Sequence, residues 1–187
     1  MTNQPVENAP ATDVAEGDGR EFSMPARPHS RPYIFFAAFA AGFFVMMLEI
    51  LGGRTLAPYF GTGVYVWGSV IFVFMLSLSL GYLGGGRLSR EQPSIARLGQ
   101  ILIGAGLMTI PAMVWGDAVL ARLEDTVIDP RYAAIAGAMI LFLLPTTLWG
   151  MISPYAVRLL VRRADHSGES AGFLYFVSTA GSSAGTL

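Results

Sequence analysis

Four long stretches with almost no charge constrain the fold of this chain more than any other feature. They run over residues 33–53, 64–86, 98–116 and 132–157, and Glu49 is the one charged residue within them. A helix of about 20 apolar residues crosses a hydrocarbon layer of roughly 30 Å at 1.5 Å per residue. Backbone groups in lipid are satisfied within helices or closed barrels, so each stretch predicts a membrane-spanning helix.

A fifth stretch, residues 171–187, mixes apolar residues with glycine, serine and threonine and predicts one more span. The chain is 53% hydrophobic and 13% charged. A soluble domain carries roughly 25% charged residues, so this chain has too few to cover a soluble surface. We therefore predict an all-α fold, a polytopic transmembrane helical bundle with four complete spans and a fifth.

The first 32 residues differ in character from the rest. They are polar, rich in proline and small residues, and have no apolar periodicity. Such a segment cannot bury enough surface to offset its ordering entropy. We predict a disordered cytoplasmic tail over 1–32 and a transmembrane domain over 33–187.

Arginine placement predicts the orientation of the spans. All twelve basic residues other than histidine are arginines, and nine of them flank the spans on one side: Arg20, Arg27, Arg31, Arg87, Arg90, Arg97, Arg158, Arg162 and Arg163. Arginine is enriched in cytoplasmic loops, so the N-terminus is expected to be cytoplasmic. The acidic link over residues 117–131 is expected on the outer face.

Glu49 is the first candidate for a functional residue. A carboxylate within an apolar span is costly and usually faces protein or water. Arg54 follows the pair Gly52-Gly53, where we expect the helix to break and the chain to turn back. Two interpretations stay open: Glu49 binds a cation or a proton, or Glu49 and Arg54 form a structural pair that holds the loop 55–63.

The sequence lacks the residues that several classes of functional site require. The chain has no cysteine, which excludes disulfides and thiolate sites. His29 and His166 have no partner at ligand spacing. Gly61-Thr62-Gly63 lacks the third glycine of a nucleotide fingerprint. We predict no catalytic residue, no metal, no cofactor and no nucleic-acid partner.

Glycines and aromatic residues predict details of packing. Gly81 with Gly85, and Gly181 with Gly185, form GxxxG pairs that favour close contact between membrane helices. Five aromatic residues near the span ends are expected to be interfacial anchors: Tyr33, Trp67, Trp115, Trp149 and Tyr155.

Four segments resemble a known family. They are LEILGGRTLAPYFG (48–61), VYVWGSVIFVFMLSLSLGYLGGGRLS (64–89), LWGMISPYAVRL (148–159) and STAGSSAGTL (178–187). Together they resemble the membrane part of the fused major-facilitator/spermidine-synthase-like proteins of bacteria. The resemblance implies a bacterial inner membrane location. Its most specific segment contains Glu49, Arg54 and Tyr59, our candidate substrate-binding residues.

In that family a soluble aminopropyltransferase-like domain commonly follows the helices. This sequence contains no such α/β domain, and it ends within an uncharged, glycine- and serine-rich segment, which is typical of a fragment or an unusually short member. Enzymatic activity within the chain is therefore the least expected function.

The leading functional hypothesis is a non-catalytic membrane module. It would sit in the lipid bilayer and anchor, or feed a polyamine-like cation to, a cytosolic aminopropyltransferase-like partner. The alternative is a transporter subunit for such a cation that works as a homo-oligomer, since four or five helices rarely enclose a path.

Overall fold

Five helices make up almost all of the described chain. The computed structural model describes residues 31–90, 93–127, 129–160 and 167–187, and these contain no strand. The helices are α1 (Arg31–Phe60), α2 (Val64–Leu88), α3 (Ile95–Thr126), α4 (Pro130–Leu160) and α5 (Ser167–Thr186). The first four are long and apolar enough to cross a membrane. The predicted all-α transmembrane bundle is confirmed, and the predicted tail lies outside the described residues apart from its last two.

Helix α1 does not break at the glycine pair, contrary to the prediction. It continues to Phe60, and the turn comes at Gly61, whose φ of 83° suits glycine. Gly52 and Gly53 are instead buried against aromatic rings. A Cβ at Gly52 would lie 3.1 Å from the Phe142 ring. The two glycines thus serve close side-chain packing within a helix rather than a reversal of the chain.

Helix α3 extends ten residues beyond its predicted end at Gly116 and takes up most of the predicted outer link. Its added turns have an apolar side that packs on α4. Leu120 is fully buried, and its side chain lies over Gly137, where a Cβ would be only 2.7 Å from the Leu120 methyl group. Charged residues thus share these turns with apolar residues that hold them in place.

Helices α1 and α4 form the centre of the bundle, since each contacts all four other helices. They run antiparallel, with Phe44 stacked on Trp149 and Gly52 against Phe142. The closest partner of α4 is α2, and the closest partner of α1 is α5.

Backbone contact at glycine holds these two close pairs together. Side chains at Gly81 and Gly85 would collide with the carbonyl oxygens of Thr147 and Met151 on α4. In the same way, Gly181 and Gly185 of α5 lie against the carbonyl oxygens of Phe39 and Phe43 on α1. The close packing predicted from both GxxxG pairs is confirmed.

The two ends of the bundle differ in charge. The start of α5 lies beside the start of α1, where the Phe35 and Phe173 rings meet edge to face. The end of α4 lies beside the start of α3, where the Tyr155 hydroxyl accepts a hydrogen bond from the Ser94 amide. This end carries Arg31, Arg87, Arg90, Arg97 and Arg158. The opposite end carries Asp117, Glu124, Asp125 and Asp129 with Arg54, Arg122 and Arg131.

Two neighbouring glycines test the contact between α2 and α4. Gly85→Ala should destabilise the protein by about 1–3 kcal/mol, because the added methyl group overpacks the contact with Met151 and Pro154. Gly86→Ala is the matched control, since a Cβ there meets nothing within 4 Å. Thermal unfolding in mild detergent measures both variants. Equal melting temperatures for the two would contradict the packing.

Candidate functional site

Glu49 lies on the buried side of α1, about midway along the bundle. Of the residues that share its side of the helix at spacings of three, four and seven, Met46 is half-buried and the others are buried: Gly42, Val45, Gly52, Gly53 and Leu56. Glu49 itself is half-buried. Glu49 therefore lies on the buried stripe of α1, which is the side of this central helix that packs against its neighbours.

The structure provides no partner for this carboxylate. Among the described residues, neither a hydrogen-bond donor nor a basic group lies within bonding distance of Glu49. A partly buried charge without a partner is costly in an apolar environment. The site is therefore chemically suited to bind a proton or another cation.

Arg54 does not complete this site. In a continuous helix, five positions correspond to a rotation of about 140°, so Glu49 and Arg54 point to different sides of α1. Arg54 is exposed, whereas Glu49 lies on the buried stripe. The structural pair considered from the sequence is not formed, and most of the loop it would have held is helix.

Tyr59 is also separate from Glu49. Ten residues of helix place the two about 15 Å apart along the axis. The Tyr59 hydroxyl donates a hydrogen bond to the Asp117 carboxylate across 3.4 Å, which joins α1 to α3 at the acidic end. The three predicted substrate-binding residues thus occupy three different places, and only Glu49 lies within the bundle.

Trp149 is not an interfacial anchor, contrary to the prediction. Its side chain is 3% exposed and stacks on Phe44 with ring centroids 4.6 Å apart. The indole N–H donates to the Thr109 hydroxyl at 3.2 Å, and that hydroxyl donates to the Ala105 carbonyl. A polar link between α3 and α4 therefore runs through the core.

The other predicted anchors divide into two groups. Tyr155 is fully buried and bonded to Ser94, so it is a core residue as well. Tyr33 and Trp115 are largely exposed, as the membrane interface would require. Trp67 is partly exposed and lies against α1.

Thr146, next to Pro145 on α4, is a buried polar group. Its side chain is fully buried, and its hydroxyl oxygen has no hydrogen-bond partner among the described residues. Thr146 and Glu49 both lie between the Phe44–Trp149 and Gly52–Phe142 contacts, which places them at similar depth. From the sequence, a threonine beside a proline is expected to bond a carbonyl that the proline leaves free, and in the described part of the chain Thr146 makes no such bond.

Four helices that are long and apolar enough to cross a membrane define a multi-pass α-helical membrane protein. Comparison of the chain with protein families, with curated proteins and with solved structures found no match. The resemblance to the fused major-facilitator/spermidine-synthase-like family stays a prediction.

A pair of threonine substitutions tests the polar groups of the core. Thr109→Val removes the acceptor of the Trp149 N–H and should cost about 0.6–1.7 kcal/mol, the range for hydrogen bonds between membrane helices. Thr146→Val keeps the shape and removes an unpartnered hydroxyl, so stability should be unchanged or slightly raised. Unfolding by a denaturing detergent measures both. A larger loss of stability for Thr146→Val than for Thr109→Val would show that the Thr146 hydroxyl has a partner.

Proposed function

We propose that this chain is the membrane module of a spermidine-synthase-like protein of the fused major-facilitator type and binds an amine-type cation at Glu49. The module itself is non-catalytic. It anchors a cytosolic aminopropyltransferase-like partner in the bacterial inner membrane and supplies it with a polyamine-like cation. The observation that carries the proposal is the unpartnered Glu49 carboxylate on the buried stripe of α1.

Electrostatics favour a cationic ligand over a neutral or anionic one. Two opposite unit charges 4 Å apart attract by about 4 kcal/mol at an effective dielectric constant near 20. No basic residue in the described part of the chain supplies that attraction to Glu49. A bound ammonium group would supply it and would offset the cost of burying the carboxylate.

The charge difference between the two ends supports an orientation with the basic end in the cytosol. Arginines next to membrane spans are retained on the cytoplasmic side. Arg87, Arg90 and Arg158 lie at that end, close to where a cytosolic partner would dock. The acidic end, with Asp117 and Glu124, then faces outward.

Single cysteines test this orientation, since the natural sequence has none. Ala96 and Thr126 are exposed, uncharged residues at opposite ends of α3. Thr126→Cys should react with a membrane-impermeant maleimide on intact spheroplasts. Ala96→Cys should react only after permeabilisation. The reverse pattern would refute the proposed orientation.

A transporter subunit that works as an oligomer is the second candidate, and the outer face of α5 favours it. Thr179, Ala180, Ser183 and Ala184 are small residues left exposed on that helix. Membrane helices associate through such faces, so this one suits contact with another helix. The two candidates differ in outcome, because a transporter moves the cation across a bilayer and an anchoring module does not.

Amine binding tests the role of Glu49 directly. Purified chain in nanodiscs should bind radiolabelled putrescine, and Glu49→Gln should weaken binding at least tenfold, on the order of 1.4 kcal/mol, because glutamine keeps the shape and loses the charge. Glu124→Gln, an exposed carboxylate at the acidic end, is the matched control and should bind normally.

Equal putrescine binding by wild type and Glu49→Gln would refute the cation site. Uptake by reconstituted vesicles separates the two candidates. Flux that Glu49→Gln abolishes would favour the transporter, and binding without flux would favour the anchoring module.

A further inference from the structure

Trp67 of α2 lies directly on α1 at Gly53. A Cβ at Gly53 would be 2.7 Å from Cη2 and 2.8 Å from Cζ3 of the indole ring. Real side chains do not approach that closely, so the ring can lie here only because residue 53 is glycine. The contact also explains why a glycine is placed within a continuous helix.

The ring lies on the same side of α1 as the Glu49 carboxylate. Gly53 follows Glu49 by four residues, which is one helical turn and a rotation of about 40°. Cα–Cβ bonds in a helix tilt toward its N-terminus, so the space above Gly53 extends over the turn that begins at Glu49. The rim of an aromatic ring and a carboxylate without a partner among the described residues are thus about one turn apart along α1.

These two groups together select one class of cation. A metal ion of the alkali or alkaline-earth type prefers several oxygen ligands, and an indole ring provides none. An organic ammonium group donates hydrogen bonds to a carboxylate, and its positive charge and methylene groups are attracted to an aromatic face. Tryptophan is the best aromatic residue for that contact.

An interfacial anchor alone does not account for Trp67. Anchoring requires only that the ring reach the headgroup region, as the exposed Trp115 does. Trp67 is instead 41% exposed, and the outer rim of its indole ring lies against Gly53 of α1. The rim of the ring is therefore covered one helical turn from Glu49, and another part of the ring is open.

We propose that Trp67 contacts the ligand and that Trp67 and Glu49 form a site for a primary ammonium group, such as one end of a diamine or polyamine. This inference rests on the proposed cation binding at Glu49 and adds the residue that sets the ligand class. Gly53 is a positioning residue, because it admits the ring without touching the ligand.

Putrescine binding to the full chain in nanodiscs tests the role of Trp67. Trp67→Leu should weaken binding about 3- to 30-fold, since leucine fills space but has no aromatic face. Trp67→Phe should retain most of the affinity. Trp115→Leu is the matched control on α3 and should bind as wild type does.

A second measurement changes only the electrons of this ring. Incorporating fluorotryptophans at position 67 alone withdraws electrons from the ring and hardly alters its shape, so affinity should fall stepwise with the number of fluorine atoms. Affinity that is the same for all fluorotryptophans would overturn the aromatic contact, whatever the stability of Trp67→Leu.

Different results would refute the Trp67 contact and the Glu49 site. Loss of putrescine binding in Glu49→Gln together with normal binding in Trp67→Leu would refute the Trp67 contact and leave the Glu49 site standing. Absence of putrescine binding by the wild-type chain, or equal binding by wild type and Glu49→Gln, would refute the proposed function itself.

Discussion

Contact between glycine and backbone carbonyl groups on a neighbouring helix is the interaction on which this bundle depends. Lipid tails are as apolar as leucine, so membrane helices gain little by hiding apolar side chains from them and associate through close packing instead. Gly81 and Gly85 bring α2 onto α4, and Gly181 and Gly185 bring α5 onto α1. These two close pairs are joined through the contact between α1 and α4, and together they fix how α1, α2, α4 and α5 lie against one another.

The candidate site uses the same property of glycine for another purpose. At Gly52 and Gly53 the missing side chains admit aromatic rings from α4 and α2 rather than a neighbouring backbone. These rings approach α1 within one turn of Glu49, whose carboxylate has no partner among the described residues. Helix packing and the candidate site are thus linked, because the residues that allow tight packing also shape the surroundings of the half-buried carboxylate.

Apolar runs predicted the type and number of helices well and their ends less well. The start of each span was close, because the loss of charge marks where a chain enters lipid. The ends of α1 and α3 lie seven and ten residues beyond the prediction. Helices continue past the lipid where a packed side supports them, as Leu120 on Gly137 supports α3. Hydropathy describes a residue and its solvent, and it carries no information about such a partner.

The sequence by itself determined the membrane class, the five helices, the glycine contacts and the separation of charge between the two ends. Each of these follows from local composition and spacing along the chain. The tertiary structure alone decided that Trp149 is a core residue while Trp115 is exposed, that Glu49 and Arg54 point apart, and that Trp67 lies on Gly53. Those outcomes depend on which side of a helix meets which neighbour, and residues far apart in sequence supply that neighbour.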